Sequence, residues 1–526
     1  MYIGLEILCG IVITLIAFYC YLTINNNYWK NRGIPGPKPV PGFGNMKNVI
    51  FGKESVSQFL TRMYNEYKDE PMIGVFSKRT PVLIVKDVDL IKTILIKEFP
   101  KFANRGLFPI FSRDPLTHHL FNLEVERWKP LRTQFTPLFT SSKLKEMFSL
   151  ILECSNHLES YMDTLIKKGE PIDMREVSAR YTTDVVGSCA FGIDMNSLSE
   201  KESVFRRLGK LIFATNLRKI LSIRIQDMLP WLYNSFLYVL PRDEKTRIIM
   251  KLMTETMEYR EENNVFRPDF INMLLNLKKH PEKIDIEQKY QISSYATFYS
   301  TNFANLYVED ITDITNELLA AQIFIFFAAG FETSSTLISN ALYELALNPN
   351  IQDKLREEIK KFESQNDEEW KYETIKKMDY LEKVIQETLR KYPPVPFLNR
   401  ELIDDYTFES NKVTIPKGLK IWIPTYAIHN DPDIYPDPDK FDPERFSEDN
   451  IKQRHPMHFL PFGHGPRNCI GIRFAEYQTK IGLINILRNF KLDVCDKTLI
   501  PYKLHPRGLI LIPLTDLYLK ITRLTN

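Results

Sequence analysis

Of the six cysteines in the chain, Cys469 stands in a setting that prepares a sulfur for chemistry: Phe462-Gly463-His464-Gly465-Pro466-Arg467-Asn468-Cys469-Ile470-Gly471. A single cysteine is ordinarily a small buried hydrophobe. Here Gly463, Gly465 and Pro466 predict a tight turn in which glycine supplies positive φ. Apolar residues at Ile470, Phe474, Tyr477, Ile481 and Ile484 then recur at helical spacing, so a helix opens just after the cysteine. The dipole and free N–H groups of a helix N-terminus favour a thiolate. Arg467 offers charge-assisted hydrogen bonds to a carboxylate. Phe462 can cover the sulfur, and Gly471 lets a flat ligand approach the helix. A thiolate, a cation for an acidic edge and room for a plane together describe a seat for haem.

This stretch closely resembles the haem-binding signature of the cytochrome P-450 monooxygenases, F-x-x-G-x-R-x-C-x-G, with Phe462, Gly465, Arg467, Cys469 and Gly471 at every fixed position. The resemblance implies haem b held by the Cys469 thiolate, whose electron density favours O–O cleavage over reversible O₂ binding. A second segment, Ala329-Gly330-Phe331-Glu332-Thr333-Ser334, interrupts the long apolar helical pattern Glu317–Leu347. Glycine costs a helix about 1 kcal/mol relative to alanine, and a buried acid and hydroxyl are expensive unless satisfied. On its own the segment reads as a helix irregularity with a capped polar pair. Its similarity to the family's [AG]-G-x-[DE]-T-[TS] segment implies that Gly330 leaves room beside the haem and that Thr333 with Glu332 relays protons.

Glu387 and Arg390 are three residues apart, which alone suggests a surface ion pair of roughly 0.2–0.5 kcal/mol. With Pro393, Pro394 and Pro443-Glu444-Arg445-Phe446 around them they resemble the family's E-x-x-R motif. That resemblance implies a buried structural network in which Arg445 joins Glu387 and Arg390 beneath the cysteine loop. Trp128 and Arg132 share one helix face at i,i+4. They resemble the family's W-x-x-x-R pair, which implies contacts to haem propionates. Arg400 matches another propionate-binding position.

The elements that must hold these residues are mainly helical. Helical periodicity runs through Leu144–Lys168 and Asn350–Phe362, and short strand-like runs appear at Pro81–Val85, Val413–Ile423 and Leu509–Leu514. The fold class is mainly α with a minor β-sheet region (α+β), and the resemblance implies the cytochrome P-450 fold. Ile7–Leu22 is uncharged and mostly apolar, and with Tyr2–Leu5 it is long enough to cross a bilayer. It lacks the basic start and small-residue cleavage site of a removed signal. Lys30 and Arg32 follow directly and place the body on the cytosolic side. Residues 1–24 are therefore expected to be a transmembrane signal anchor, 25–45 a proline-rich hinge, and 46–526 the haem-thiolate catalytic domain. Residues 285–312, aromatic and polar with neither helical nor strand spacing, depart from that pattern as an unusual inserted segment.

The 69 Lys and Arg against 66 Asp and Glu leave no concentrated positive footprint for nucleic acid. The scattered cysteines fit no disulfide framework or zinc site. Without a Gly-rich dinucleotide or flavin motif, electrons must come from another protein. The resemblance implies NADPH through NADPH–cytochrome reductase in the same membrane, the endoplasmic reticulum, with cytochrome b5 as a second donor. Lys129, Lys143 and Lys145 could meet an acidic partner, or form a plain solvated face. The resemblance also places Phe102, Phe108, Phe111 and Phe121 in the roof of an apolar pocket for small lipophilic substrates. It covers the chain from anchor to end and is nearest the insect microsomal branch associated with foreign-compound metabolism. Two other readings compete. A haem-thiolate isomerase or dehydratase would need no proton relay, and a haem sensor would need no anchor, propionate arginines and relay together.

Overall fold

The computed structural model describes residues 2–106, 114–193, 195–199, 203–213, 244–279, 314–365, 370–409, 412–508 and 510–524. Helix α1 (Tyr2–Thr23) stands apart from the body with its large apolar side chains exposed. Its 22 residues reach about 33 Å at 1.5 Å each, close to the ~30 Å of a bilayer's hydrocarbon core. This helix fits a membrane anchor. The proline-rich segment after it is fastened to the body. Trp29 and Ile34 are buried, and the Trp29 indole N–H donates to the Val75 carbonyl at 2.9 Å. Any side chain at Gly74 would strike the Trp29 ring, so glycine is what lets the indole lie on the sheet.

That sheet has four strands. β1 (Met72–Ser77) and β2 (Thr80–Val85) form an antiparallel hairpin. β3 (Leu398–Glu401) and β4 (Lys420–Ile423) complete the spatial order β1-β2-β4-β3, with β4 parallel to β2 and antiparallel to β3. The run expected as one strand at Val413–Ile423 is divided, because Pro416 and Gly418 turn the chain between Thr414–Ile415 and Lys420–Ile423. Ile172–Asp173, Phe490–Asp493 and Tyr518–Arg523 make a second small sheet. The expected strand Leu509–Leu514 does not form over 510–514, where an isolated bridge joins Leu504 to Pro513. Pro513 has no N–H to extend a ladder. Residue 509 lies outside the described residues, as do residues 285–312.

The helical body surrounds one long element. α2 (Val125–Phe135), α3 (Ser141–Ile166) and α4 (Met174–Val186) precede α5 (Asn316–Leu347), and α6 (Asp379–Lys391) and α7 (Ile472–Asn489) follow it. Thr315 caps α5 by accepting from the Leu318 N–H at 3.1 Å. α5 is also long and apolar enough to cross a membrane, but most of it is buried among the other helices, as a core helix would be. Its polar segment does not break it: the helix is continuous from Ala329 through Ser334. α4 lies along α5, with the Thr182 hydroxyl donating to the Phe331 carbonyl at 2.9 Å. It reaches α7 through the Tyr181 hydroxyl, which donates to the Gln478 carbonyl at 3.1 Å.

Candidate active site

The cysteine loop is built as its glycines require. Gly463 and Gly465 have φ of +70° and +75°, and a side chain at Gly465 would collide with the Leu95 carbonyl. The turn closes with the Cys469 N–H donating to the Phe462 carbonyl at 2.9 Å. Gly471 caps α7, and a Cβ there would meet nothing within 4 Å, so the approach to the helix start is open. Cys469 is accessible by surface area, while the protein packed around it pushes its thiol up. Both hold for a sulfur that faces a recess inside the molecule. The Gly471 N–H, Arg132 and Arg105 work against that rise without overcoming it. The helix N-terminus favours the thiolate as expected, but desolvation outweighs it. Phe462 packs half-buried against the main core beside the loop.

Four guanidinium groups converge on this loop. Arg132 donates to the Asn468 carbonyl and side-chain oxygen, both at 3.1 Å. Arg467 donates to the carbonyls of Ala103 and Leu123, with its guanidinium 4.8 Å from the centre of the buried Trp128 ring. Arg400, on β3, spends one N–H on the Asn399 carbonyl at 2.7 Å and keeps a buried, unpartnered Nε. Arg467 also has an unpartnered Nε. The fourth, Arg105, is one that sequence reasoning missed. It donates to the carbonyls of Phe121 at 2.9 Å and Arg467 at 3.1 Å. Its neighbours Phe102, Ala103 and Asn104 carry no motif that marks it.

Burial depresses all four, and neighbouring cations depress two of them further. Burial lowers Arg400 and Arg132 to about 10, and burial with Arg400 and Arg132 nearby takes Arg467 to about 9. Arg105 falls well below its ordinary value through burial and its repulsion from Arg467 and Arg400. Among the described residues no carboxylate pairs with any of the four. Such a cluster is costly unless an anion meets it. Haem carries two propionates at one edge, so the unpartnered Nε atoms, the clustered charge and a cysteine at the same loop suit that group.

On α5 the expected relay pair divides. Ala329 is exposed and Thr333 half-exposed, one turn apart in a helix otherwise largely buried, and the Thr333 hydroxyl donates to the Ala329 carbonyl at 2.6 Å. Glu332 is buried, and its carboxylate accepts from Arg175 of α4 at 3.2 Å. Gly330 was expected to leave room beside the haem. A Cβ there would instead meet Val186 of α4 at 3.0 Å, so its small size serves the helix contact.

Glu387, Arg390 and Arg445 come together. Glu387 and Arg390 are fully buried and joined by bonds of 2.7 and 2.8 Å. Arg445 lies 3.5 Å from Glu387, whose carboxylate also accepts from the Asp442 N–H at 3.0 Å. Burial pushes the Glu387 carboxyl up, opposed by Arg390, Asp442 and Arg445. A second missed residue extends this network to the loop. Arg390 donates to the His429 carbonyl at 3.0 Å, and the His429 ring accepts from the Leu460 N–H at 2.8 Å, two residues before Phe462. Burial and Arg390 lower His429 to about 3, so it is a neutral acceptor.

Among the expected pocket aromatics, Phe121 lies 4.0 Å from the Arg105 guanidinium. Phe102 does not reach the pocket: it is fully buried in the sheet's core against Tyr406. Phe108 and Phe111 lie outside the described residues. Lys143 and Lys145 are engaged by Glu146 and Glu373.

The cysteine loop and its guanidinium ring define a haem-thiolate protein. The chain belongs to the cytochrome P-450 family, whose model (Cytochrome P-450) matches residues 34–520. It is 39% identical to Cytochrome P-450 6a2 of Drosophila melanogaster over 98% of this chain and 100% of that one. It is 38% identical to Cytochrome P-450 6A1 of Musca domestica over 97% and 96%, and 34% identical to Cytochrome P-450 6j1 of Blattella germanica over 98% and 99%. The protein is a haem monooxygenase that inserts one oxygen atom of O₂ into small lipophilic molecules, drawing electrons from NADPH through a separate redox partner.

Proposed function

We propose that Cys469 ligates the haem iron and that Trp128, Arg132, Arg400, Arg467 and Arg105 hold the propionate edge. The observation that carries this is four guanidinium groups, two buried and two half-buried, that have no carboxylate partner among the described residues around the loop of an accessible cysteine. When bound, the haem supplies the redox chemistry of oxygen activation, with an iron made electron-rich by sulfur. Phe462 and Gly471 leave the sulfur reachable by a flat group and shield it from water. Thr333 holds a proton at Oγ1 while its own hydrogen bond to Ala329 fixes the hydroxyl's direction. Glu332 would exchange that proton, its carboxylate held in place by the pairing with half-buried Arg175. Glu387, Arg390 and Arg445 bear the loop from below.

We infer further that residues 1–24 anchor the chain in the endoplasmic reticulum with 46–526 on the cytosolic face, the expected hinge 25–45 being a connection fastened to the body. NADPH–cytochrome reductase, with cytochrome b5 as a second donor, is the matching electron source. The deciding experiment is the spectrum of the reduced, CO-bound protein. Cys469→Ala and Cys469→His should each lose the thiolate-type band, and retention in either puts the ligand elsewhere.

A further inference from the structure

We propose that Gln322 is a positioning residue that selects substrates by size, through a two-point clamp that fixes the backbone of residues 118–123 across α5. The inference rests on the site reading above. Gln322 is buried in α5, two turns before Gly330. Its Oε1 accepts from the Leu120 N–H at 2.8 Å, and its Nε2 donates to the His118 carbonyl at 3.0 Å and to the Leu318 carbonyl at 3.1 Å. Both amide hydrogens and the carbonyl are thereby used. Two of the three bonds leave the helix, and they grip the chain on either side of His119.

What the clamp holds in place is a stretch without regular structure that touches the haem seat at its other end. The Phe121 carbonyl accepts from Arg105 at 2.9 Å and the Leu123 carbonyl accepts from Arg467. The segment is therefore strung between the central helix and the guanidinium cluster, and it carries Phe121, which the resemblance puts in the roof of the substrate pocket. His119 sits at its middle, more than nine-tenths buried, with its ring 6.3 Å from Phe121 and 6.2 Å from Phe324 of α5. Its Nδ1 has no hydrogen-bond partner, so packing holds the ring. The backbone bonds on both flanks hold the main chain.

An apolar pocket discriminates between similar molecules by shape, and one methylene changes the outcome only 10–200-fold or so. The height of the roof therefore decides which lengths fit. A side chain that pins the roof to the helix acts on selectivity without touching substrate or haem.

The test uses full-length protein with haem bound, and iron-coordinating imidazoles as probes of the space over the iron. Imidazole itself is short enough to ignore the roof, whereas 4-phenylimidazole is not. Gln322→Met removes both clamp bonds and keeps the volume. It should shift the ratio of the two spectral dissociation constants at least about fivefold in favour of 4-phenylimidazole, with imidazole affinity within about twofold of the parent. Hydrogen exchange at the Leu120 amide should speed up in parallel. Gln322→Glu keeps the acceptor for Leu120 and loses the donor to His118, so a smaller shift in the same direction is expected. If the methionine variant does not fold, the glutamate variant decides alone. An unchanged ratio overturns the proposal. Imidazole binding reports whether the haem site is intact, so failure of the clamp is distinguishable from failure of the site reading.

Discussion

Replacing His429 with glutamine should flatten the acid limb of the stability profile. The imidazole is fully buried, held near pKa 3 by burial and by Arg390, against 6.5 when exposed. Because the folded value lies below the unfolded one, its contribution is present in full above pH 6.5. It is lost progressively as pH falls from there toward 3. Between pH 7.5 and 5 the folded ring stays neutral while the unfolded ring takes up nearly one proton. At 1.36 kcal/mol per pH unit, that costs the folded state about 2 kcal/mol.

Glutamine can present an oxygen near the position of Nε2 and keep the Leu460 N–H satisfied, but it does not titrate. Urea unfolding of the detergent-solubilised full chain, followed by tryptophan fluorescence at both pH values, gives the two stability changes. The wild type should lose about 2 kcal/mol more than His429→Gln over that interval. His119, lowered to about 4, titrates in both proteins and cancels in the comparison. Parallel pH profiles would refute the argument: they would mean that His429 can protonate in the folded state and that the Leu460 bond does not depend on a neutral ring.

Glu387→Gln should be more damaging at neutral pH, since it leaves Arg390 and Arg445 with no carboxylate and a buried cation unpaired. A loss of roughly 3–5 kcal/mol is expected, measured as a fall in unfolding midpoint and in haem bound per chain. Thr333→Ala should keep the haem and the thiolate-type band while diverting NADPH electrons to hydrogen peroxide. Product formed per NADPH consumed is the readout, and unchanged coupling counts against Thr333 as the proton holder.

What could be read from the residues depended on how locally the physics is written. The cysteine loop spans ten residues whose turn chemistry is visible in order, and Gly463 and Gly465 take the positive φ their types suggest. The central helix could be bounded to within one residue at its start, expected at Glu317 and found at Asn316, because the apolar run marks it. Arg105 and His429 were missed because their partners are distant in sequence: Arg467 for one, Leu460 for the other. No periodicity encodes such pairings. Gly330 is ambiguous for a related reason, since a small residue signals close approach without naming the neighbour, and the one found is Val186. Phe102 was placed with the pocket through the resemblance of its region, and the β-sheet core claimed it.

The proline-rich segment carries one more consequence of packing over local pattern. Alternating prolines suggest a stiff spacer, yet Trp29 lies against β1 with its indole bonded to Val75, and the Gly74 N–H donates to the Pro35 carbonyl at 2.8 Å. At the exit of α1, the Tyr21 ring also meets the Arg79 guanidinium at 3.5 Å, in the turn that joins β1 to β2. The same sheet continues through β2 and β4 to β3, which carries Arg400. Sheet hydrogen bonds thus link the chain leaving the anchor to one of the four cations at the haem seat. A free spacer would let the body tumble at the bilayer. Here the direction in which α1 leaves the body is set by the sheet whose far strand carries Arg400.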